Sequence, residues 1–124
     1  MKIELKTFND LDLTSLYHIL DLRNRVFVVE QNCVYLDTDY KDLLSHHLMF
    51  TDETGQLHAY ARILPPGLVY NGKSSIGRVV TSSQQRNSGL GKQLMKEAIK
   101  NCLQLFPDTA IQIEAQSYLI RFYS

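Results

Sequence analysis

Two glycines and two basic residues are concentrated in one short segment, Arg86–Lys92, which reads Arg-Asn-Ser-Gly-Leu-Gly-Lys. It follows a strand-like run and precedes a helix-like pattern, so its peptide N–H groups would form the first turn of a helix. Such a turn carries unpaired donors and a partial positive charge, and glycines let a phosphate approach the backbone closely. With the charges of Arg86 and Lys92, the segment favours a site for a diphosphate group.

The same segment does not match two other phosphate-binding motifs. A P-loop has Ser or Thr directly after Gly-Lys, whereas Gln93 follows Lys92 here. The dinucleotide-binding fingerprint has a third glycine that this segment lacks. A Gly-x-Gly at the start of a helix is also compatible with a simple tight turn. A generic phosphate-binding domain therefore stays open as an alternative.

The elements that must position this segment are predicted from periodicity and turn signals. The predicted strands cover residues 2–8, 47–51, 57–64, 75–81 and 110–115. The predicted helices cover 13 to about 28, capped by Asp12 or Thr14, then 89–105 and a start over 117–124. The turn at 52–55 makes one strand pair antiparallel, and the strand–helix–strand unit from 75 to 115 makes another parallel. The chain is thus predicted to be one domain over 1–124, a mixed α/β sheet flanked by helices.

The composition is that of a single globular domain of 124 residues, with 44% hydrophobic and 21% charged residues. Thirteen basic and thirteen acidic residues cancel, so no nucleic-acid partner is indicated. No apolar run approaches the roughly 20 residues of a membrane span, and the N-terminus does not resemble a signal peptide. Cys33 and Cys102 lack metal-ligand spacing. We therefore expect a cytoplasmic protein with no membrane partner and no metal.

Three stretches together resemble the GNAT superfamily of N-acetyltransferases, and within it the ElaA-like branch. Arg86-x-x-Gly89-x-Gly91 after a strand is similar to the acetyl-CoA signature of the superfamily. The other two stretches are 22–33 (LRNRVFVVEQNC) and 59–64 (AYARIL). The resemblance covers nearly the whole chain. It implies a partly splayed sheet that holds acetyl-CoA, as cosubstrate, in a V between strands 75–81 and 110–115.

The resemblance also implies which residues bind acetyl-CoA. In the family, backbone amides of the strand before the glycine motif pair with the pantetheine arm, which points to Val79, Val80 and Thr81. Amides of the glycine motif hold the diphosphate, which points to Arg86, Asn87, Ser88, Gly89, Leu90, Gly91 and Lys92. This assignment agrees with the anion site inferred from residue types alone.

The reaction implied by the resemblance is direct transfer of an acetyl group to a primary amine. The free amine has a pKa of about 10.4 and must lose a proton. Glu30, at the end of an apolar helix, is the predicted base because partial burial raises the pKa of a carboxyl. Tyr123 lies where the family places a tyrosine near the CoA sulfur and is the predicted general acid; otherwise it is a packing aromatic. A backbone N–H near Val79 is the family-like donor to the oxyanion.

Other charged residues leave alternatives open. Glu30 could instead pair with one of three arginines, Arg23, Arg62 or Arg78. Arg62 and Arg78 lie inside predicted strands, where they could bind an acidic substrate or, as we favour, hold Glu30 and the aspartates. Further base candidates are Asp37, Asp39, His46, His47 and Glu114. Cys33 has no base partner at motif spacing and is not favoured as a nucleophile.

Members of the family usually continue beyond the tyrosine region into two more strands, whereas this sequence ends at Ser124. We therefore expect an exposed edge at strand 110–115. Three explanations stay open: the natural chain is short, the sequence is a piece of a longer protein, or a partner chain supplies the strands, as a homodimer would. A CoA-binding module without catalysis is the main alternative. Formation of an acyl-homoserine lactone is disfavoured because the chain is too short for an acyl-chain pocket. The acceptor is expected to be a small-molecule or peptide amine.

Overall fold

The computed structural model describes residues 1–32 and 36–113, and these form one mixed sheet with helices on both faces. Its regular elements are β1 (Lys2–Thr7), α1 (Leu13–Arg23), β2 (His46–Thr51), β3 (Leu57–Leu64), β4 (Lys73–Thr81), α2 (Leu90–Leu105) and β5 (Ala110–Ile113). The strands lie in the order β1-β2-β3-β4-β5. The first four pair antiparallel, and β4 pairs parallel with β5. The predicted mixed α/β architecture is confirmed.

Helix α1 is capped by Asp12, whose carboxylate accepts the N–H of Ser15 at 2.6 Å. Of the two predicted caps, Asp12 is therefore the one used. The helix continues through Asn24–Glu30 in wider, π-type turns, so the predicted helix changes type rather than ending near Val28. Its apolar residues pack on one face of the sheet in the cluster Ile19, Leu22, Val26, Phe27, Met49, Leu57, Tyr60 and Val80.

Helix α2 covers the opposite face. Leu90, Leu94, Ala98 and Cys102 are buried at the spacing of four that the sequence predicts. They pack on strand residues that alternate with those facing α1, among them Leu48, Phe50, Ala59, Ala61, Ile63 and Ile76. Because helices cover both faces, all eight residues of β3 are buried.

A β-bulge in β4 was not predicted. Tyr60 pairs with Val80 and Arg62 with Gly77, so two residues of β4, Arg78 and Val79, face Ala61 alone. Arg78 has a φ of 51°, in the left-handed region where a non-glycine residue costs about 1–2 kcal/mol. A bulge bends the strand and increases its twist. The described pairing of β4 with β5 extends to Ile76 and Ile113, the last described residue of β5.

Several predictions concern residues outside the ranges 1–32 and 36–113. Tyr123, Glu114 and Cys33 lie outside the described residues, as does the predicted helix 117–124. β4 begins at Lys73, two residues earlier than predicted, because Lys73 and Ser74 already pair with β5. Among residues 1–32 and 36–113, β5 is the outermost strand on its side of the sheet. No helix in that part of the chain is long and apolar enough to cross a bilayer.

Candidate active site

The glycine segment Arg86–Lys92, called the cradle below, connects β4 to α2. Gly89 immediately precedes α2 with a φ of 84°, a conformation that glycine adopts without a steric cost. No side chain caps the helix in the usual N-cap manner. In the described chain, the N–H of Leu90 has only the Ser88 hydroxyl at 3.4 Å, and those of Gly91 and Lys92 meet no acceptor. The helix start therefore presents donors to an incoming anion.

An open cleft of about 660 Å³ borders the cradle. It is lined by Val26, Glu30, Gln31, Thr81, Gln85, Arg86, Asn87, Gly89, Gly91 and Lys92. Six residues assigned to acetyl-CoA thus share one cleft. The side chains of Val79, Val80 and Leu90 are buried in the core instead, so any contact from them to a ligand would involve the backbone. The Ser88 hydroxyl donates to the carbonyl of Gln85.

Glu30 lies across this cleft from the start of α2. Its Oε2 is 2.6 Å from Nη2 of Arg86, and both side chains are about one-third exposed, at 35% and 33%. The sequence had offered Arg23, Arg62 or Arg78 as the partner of Glu30. The observed partner is Arg86, because the π-type turns that follow α1 place Glu30 at the cleft that the cradle lines.

Those three arginines instead form a buried ion cluster with Asp37, Asp39 and Asp42. Arg23 contacts Asp37 at 2.8 Å and Asp42 at 2.7 Å, and Arg62 contacts Asp39 at 2.7 Å and Asp42 at 3.0 Å. Arg78 completes the cluster by donating from Nε to Asp37 at 2.9 Å. Three positive and three negative groups balance, which is how charges are tolerated away from water. The favoured pairing of Arg62 and Arg78 with aspartates is observed, whereas their pairing with Glu30 is not.

The ion cluster makes Asp39 and Asp42 poor proton acceptors. Burial alone would raise the pKa of both carboxyls. The hydrogen bonds and charges of Arg62 at Asp39, and of Arg23 and Arg62 at Asp42, outweigh burial and hold each pKa below its usual value. Both groups therefore stay ionised at neutral pH and act as partners for arginine.

His47 is a structural histidine. Its Nδ1 is 2.6 Å from the Tyr60 hydroxyl and its Nε2 is 2.9 Å from the carbonyl of Asp42. A carbonyl only accepts, so Nε2 donates to Asp42 and the Tyr60 hydroxyl donates to Nδ1. Burial lowers the pKa of His47, and this neutral tautomer satisfies both ring nitrogens. The ring of its neighbour His46 meets Phe106 edge-on at 6.3 Å.

Sequence reasoning missed a group of hydrogen-bonded polar side chains near the cradle. His58 contacts the Ser82 hydroxyl at 3.0 Å through Nδ1 and Asp52 at 2.8 Å through Nε2. Asp52 also accepts from Thr54 and Gln56 within the β2–β3 turn. These hydrogen bonds therefore connect the β2–β3 turn to Ser82, four residues before the cradle. The Asp-x-Thr-Gly turn was visible in the sequence, but its link to Ser82 depends on the pairing of β3 with β4.

The structure describes no group of three or more His, Cys, Asp or Glu side chains within residues 1–32 and 36–113 that could hold a metal ion. The cationic groups at the cleft, Arg86 and Lys92, are of the kind that bind phosphates. Together with the N–H groups at the start of α2, these charges favour an anionic ligand.

A mixed sheet of five described strands, in which a bulged β4 is followed by an uncapped helix that begins after a glycine, defines an acetyltransferase of the GNAT class. Residues 28–124 match the family model described as an acetyltransferase (GNAT) domain, and the chain belongs to this family. The protein ElaA of Escherichia coli is 38% identical over 124 residues, covering 93% of this chain and 75% of its relative. A UPF0039 protein of Synechocystis is 41% identical, covering 94% and 75%.

Solved structures give the same picture. An acyl-CoA N-acyltransferase from Pseudomonas aeruginosa superposes with a TM-score of 0.89 at 44% identity, covering 98% of this chain and 84% of that one. The crystal structure of Escherichia coli ElaA also gives a TM-score of 0.89, at 36% identity, covering 98% and 82%. The ElaA-like branch and the GNAT fold, a mixed α/β sheet flanked by helices, were expected from the sequence and are confirmed.

Proposed function

We propose that this acetyltransferase takes its acetyl group from acetyl-CoA and transfers it directly to a primary amine. The observation that carries the proposal is the cleft at the start of α2, where free helix N–H groups meet Arg86 and Lys92. A diphosphate is the ligand that such donors and charges suit. A fold neighbour from Clostridium acetobutylicum, 16% identical with a TM-score of 0.69, contains acetyl-CoA.

In this proposal the cradle holds the diphosphate and the backbone of Val79, Val80 and Thr81 pairs with the pantetheine arm. β4 leads directly from those residues to the cradle, so one continuous segment would contact both parts of the coenzyme. Acetyl-CoA supplies the activated thioester. The chain supplies alignment of the thioester with the acceptor, which is a large part of what an enzyme contributes to such a transfer.

The proposed transfer occurs in one displacement and needs no covalent enzyme intermediate. The amine nitrogen bonds to the thioester carbonyl carbon, the carbon–sulfur bond breaks, and the amine proton leaves while the thiolate gains one. We assign proton removal to Glu30, which lines the cleft, and protonation of the sulfur to Tyr123. The Tyr123 assignment rests on the family resemblance alone.

Calorimetric titration with acetyl-CoA tests the proposal. Gly89→Asp should abolish detectable binding, because it places a side chain at a φ of 84° and a negative charge beside the diphosphate. Gly67→Asp is the matched control, since Gly67 has a φ of 89° in a turn outside the cleft. Binding by wild type and Gly67→Asp but not by Gly89→Asp supports the site. Equal binding by all three would contradict it.

A coenzyme-binding module without transfer is the second candidate. Glu30 is the one carboxylate among the cleft-lining residues that the structure describes, and it is paired with Arg86. If that pair persists with coenzyme bound, no base is available there. A panel of polyamines, aminoglycosides and peptides with free N-termini separates the two candidates: release of CoA thiol with any member supports transfer and identifies the acceptor class.

The proposal extends to the cellular location and the oligomeric state of the protein. We place the protein in the cytoplasm as a homodimer, with β5 at the edge of the sheet as the candidate contact. Among residues 1–32 and 36–113 the outer edge of β5 meets no further strand, and such an edge offers N–H and C=O groups to a second chain. Light scattering coupled to size exclusion measures the mass directly, and a mass of 14.3 kDa would contradict the dimer.

A further inference from the structure

Asp37, which lies outside the sheet, anchors the bulge in β4 most closely, and Asp39 Oδ2 also lies 3.6 Å from Nη2 of Arg78. Arg78, at the bulge, donates to the Asp37 carboxylate from Nε at 2.9 Å and to the Asp37 carbonyl from Nη2 at 3.0 Å. The contact joins residues 41 positions apart in sequence. A two-point contact restrains the direction of a guanidinium as well as its position.

Asp37 is itself held firmly. Its other carboxylate oxygen is 2.8 Å from Nε of Arg23, and its carbonyl also accepts from Nη2 of Arg23 at 3.1 Å. The side chain of Arg23 is fully buried, and that of Asp37 is 2% exposed. Asp37 thus connects the end of α1 to the bulge through contacts that are shielded from water.

The position of the bulge gives this anchor a consequence for the coenzyme. β4 bulges at Arg78 and Val79, continues through Val80 and Thr81, and reaches the cradle after the short segment 82–85. The backbone direction after the bulge determines where its amides and carbonyls point. The left-handed conformation of Arg78 is unfavourable for an arginine, so it persists because the surroundings enforce it.

We propose that Asp37 is a positioning residue, which holds Arg78 and thereby orients the β4 backbone that pairs with the pantetheine arm. The inference rests on the proposed function, since it assumes coenzyme in the cleft. It separates two parts of coenzyme binding: the cradle recognises the diphosphate, and the anchored bulge recognises the arm. Loss of the anchor should weaken the second part and spare the first.

The experiment compares the affinities of CoA and ADP; ADP has the 5′-diphosphate of CoA but lacks its pantetheine arm and its 3′-phosphate. The 3′-phosphate difference is the same for wild type and variants, so a change in the CoA to ADP affinity ratio between them reports on the arm. Arg78→Gly keeps the left-handed backbone accessible and removes the guanidinium. We expect this variant to weaken CoA binding by about tenfold, because about one or two backbone hydrogen bonds to the pantetheine arm are lost. The affinity for ADP should stay within about twofold of wild type. Arg78→Lys, which loses the two-point contact, and Asp37→Asn should shift the CoA to ADP ratio in the same direction.

Tyr40→Gly is the matched control, because Tyr40 also has a left-handed φ, of 64°, but its side chain is 85% exposed. It should leave both affinities unchanged. Amide hydrogen exchange gives a second measurement: residues 77–81 should exchange faster in Arg78→Gly than in Tyr40→Gly, with α2 unaffected. This readout also applies if one of the variants is less stable, because both variants can be compared below their melting temperatures.

The outcomes separate the two claims. Wild type that binds CoA, with a lower CoA to ADP affinity ratio in the Arg78 and Asp37 variants, supports the inference. An unchanged ratio and unchanged exchange in β4 overturn the inference and leave the proposed function standing. Wild type that binds neither CoA nor ADP overturns the proposed function, and the inference with it.

Discussion

At the scale of single residues, the main feature of the site is the ion pair between Glu30 and Arg86, with Nη2 and Oε2 2.6 Å apart. Glu30 offers Arg86 an internal anion where the proposed diphosphate would bind. The two are therefore expected to compete for the same guanidinium. Pairs that are about one-third exposed are partly screened by solvent, so the competition is modest in energy.

Glu30→Gln should consequently tighten CoA binding by about two- to fivefold at low ionic strength. The gain should shrink as salt is added, because screening weakens the competing pair in wild type. If Glu30 is also the base, turnover should fall in the same variant, so that affinity and rate move in opposite directions. Fluorescence competition and a thiol-release assay measure the two quantities.

Glu53→Gln is the control for this change, because it removes the same charge from the exposed β2–β3 turn. It should alter neither affinity nor turnover. Weaker CoA binding in Glu30→Gln would mean that Glu30 assists the coenzyme rather than competing with it.

At the scale of elements, α2 has two roles, and different residues of the helix serve each of them. Its first turn presents N–H groups to the cleft, and its buried face, spaced by four residues, attaches it to β2, β3 and β4. The position of the cradle relative to β4 therefore depends on apolar packing rather than on the polar residues of the cradle itself.

Leu94 is the best test of that packing, because its side chain is fully buried between α2 and the sheet. Leu94→Ala should lower the free energy of unfolding by about 2–5 kcal/mol, through lost burial and the cavity left behind. Leu103→Ala, on the same helix but 48% exposed, should cost less than about 1 kcal/mol. Urea denaturation of both variants measures the difference, and similar costs would contradict the assigned packing.

At the scale of the whole molecule, the buried ion cluster joins four separate parts of the chain: α1, the segment 36–45, β3 and β4. Arg23, Arg62 and Arg78 come from regular elements, and their aspartate partners come from a segment without a long helix or strand. The segment is thus held in place mainly by charge and hydrogen bonding. Large exposed apolar side chains on it, such as Leu36, Tyr40 and Leu44, contribute little to its attachment.

The free energy of unfolding should decrease on the acid side in two stages. The pKa of folded His47 lies below its ordinary value of 6.5; below pH 6.5 the unfolded chain therefore binds a proton that the folded chain rejects, and stability falls. The pKa values of Asp39 and Asp42 also lie below their ordinary 3.8. Their stabilisation is complete above pH 3.8 and is lost as the pH falls toward their folded values.

Urea denaturation between about pH 8 and pH 3 measures both stages, each with a slope of up to about 1.4 kcal/mol per pH unit for one group. His47→Gln should flatten the first stage, whereas His18→Gln, at an exposed position of α1, should retain it. If the loss of stability below pH 6.5 persists in His47→Gln, a group other than His47 causes it.

The sequence by itself predicted the order of the described elements, limited the cap of α1 to Asp12 or Thr14, located the buried face of α2 and indicated an anion site at Arg86–Lys92. These follow from periodicity and from the donors at a helix start, which are properties of short segments. The tertiary structure decided that Glu30 meets Arg86, that Asp37 and Arg78 join across 41 residues, and that β4 bulges at Arg78. Each of these depends on strand register and on which distant groups share one desolvated space, and no local pattern contains that information.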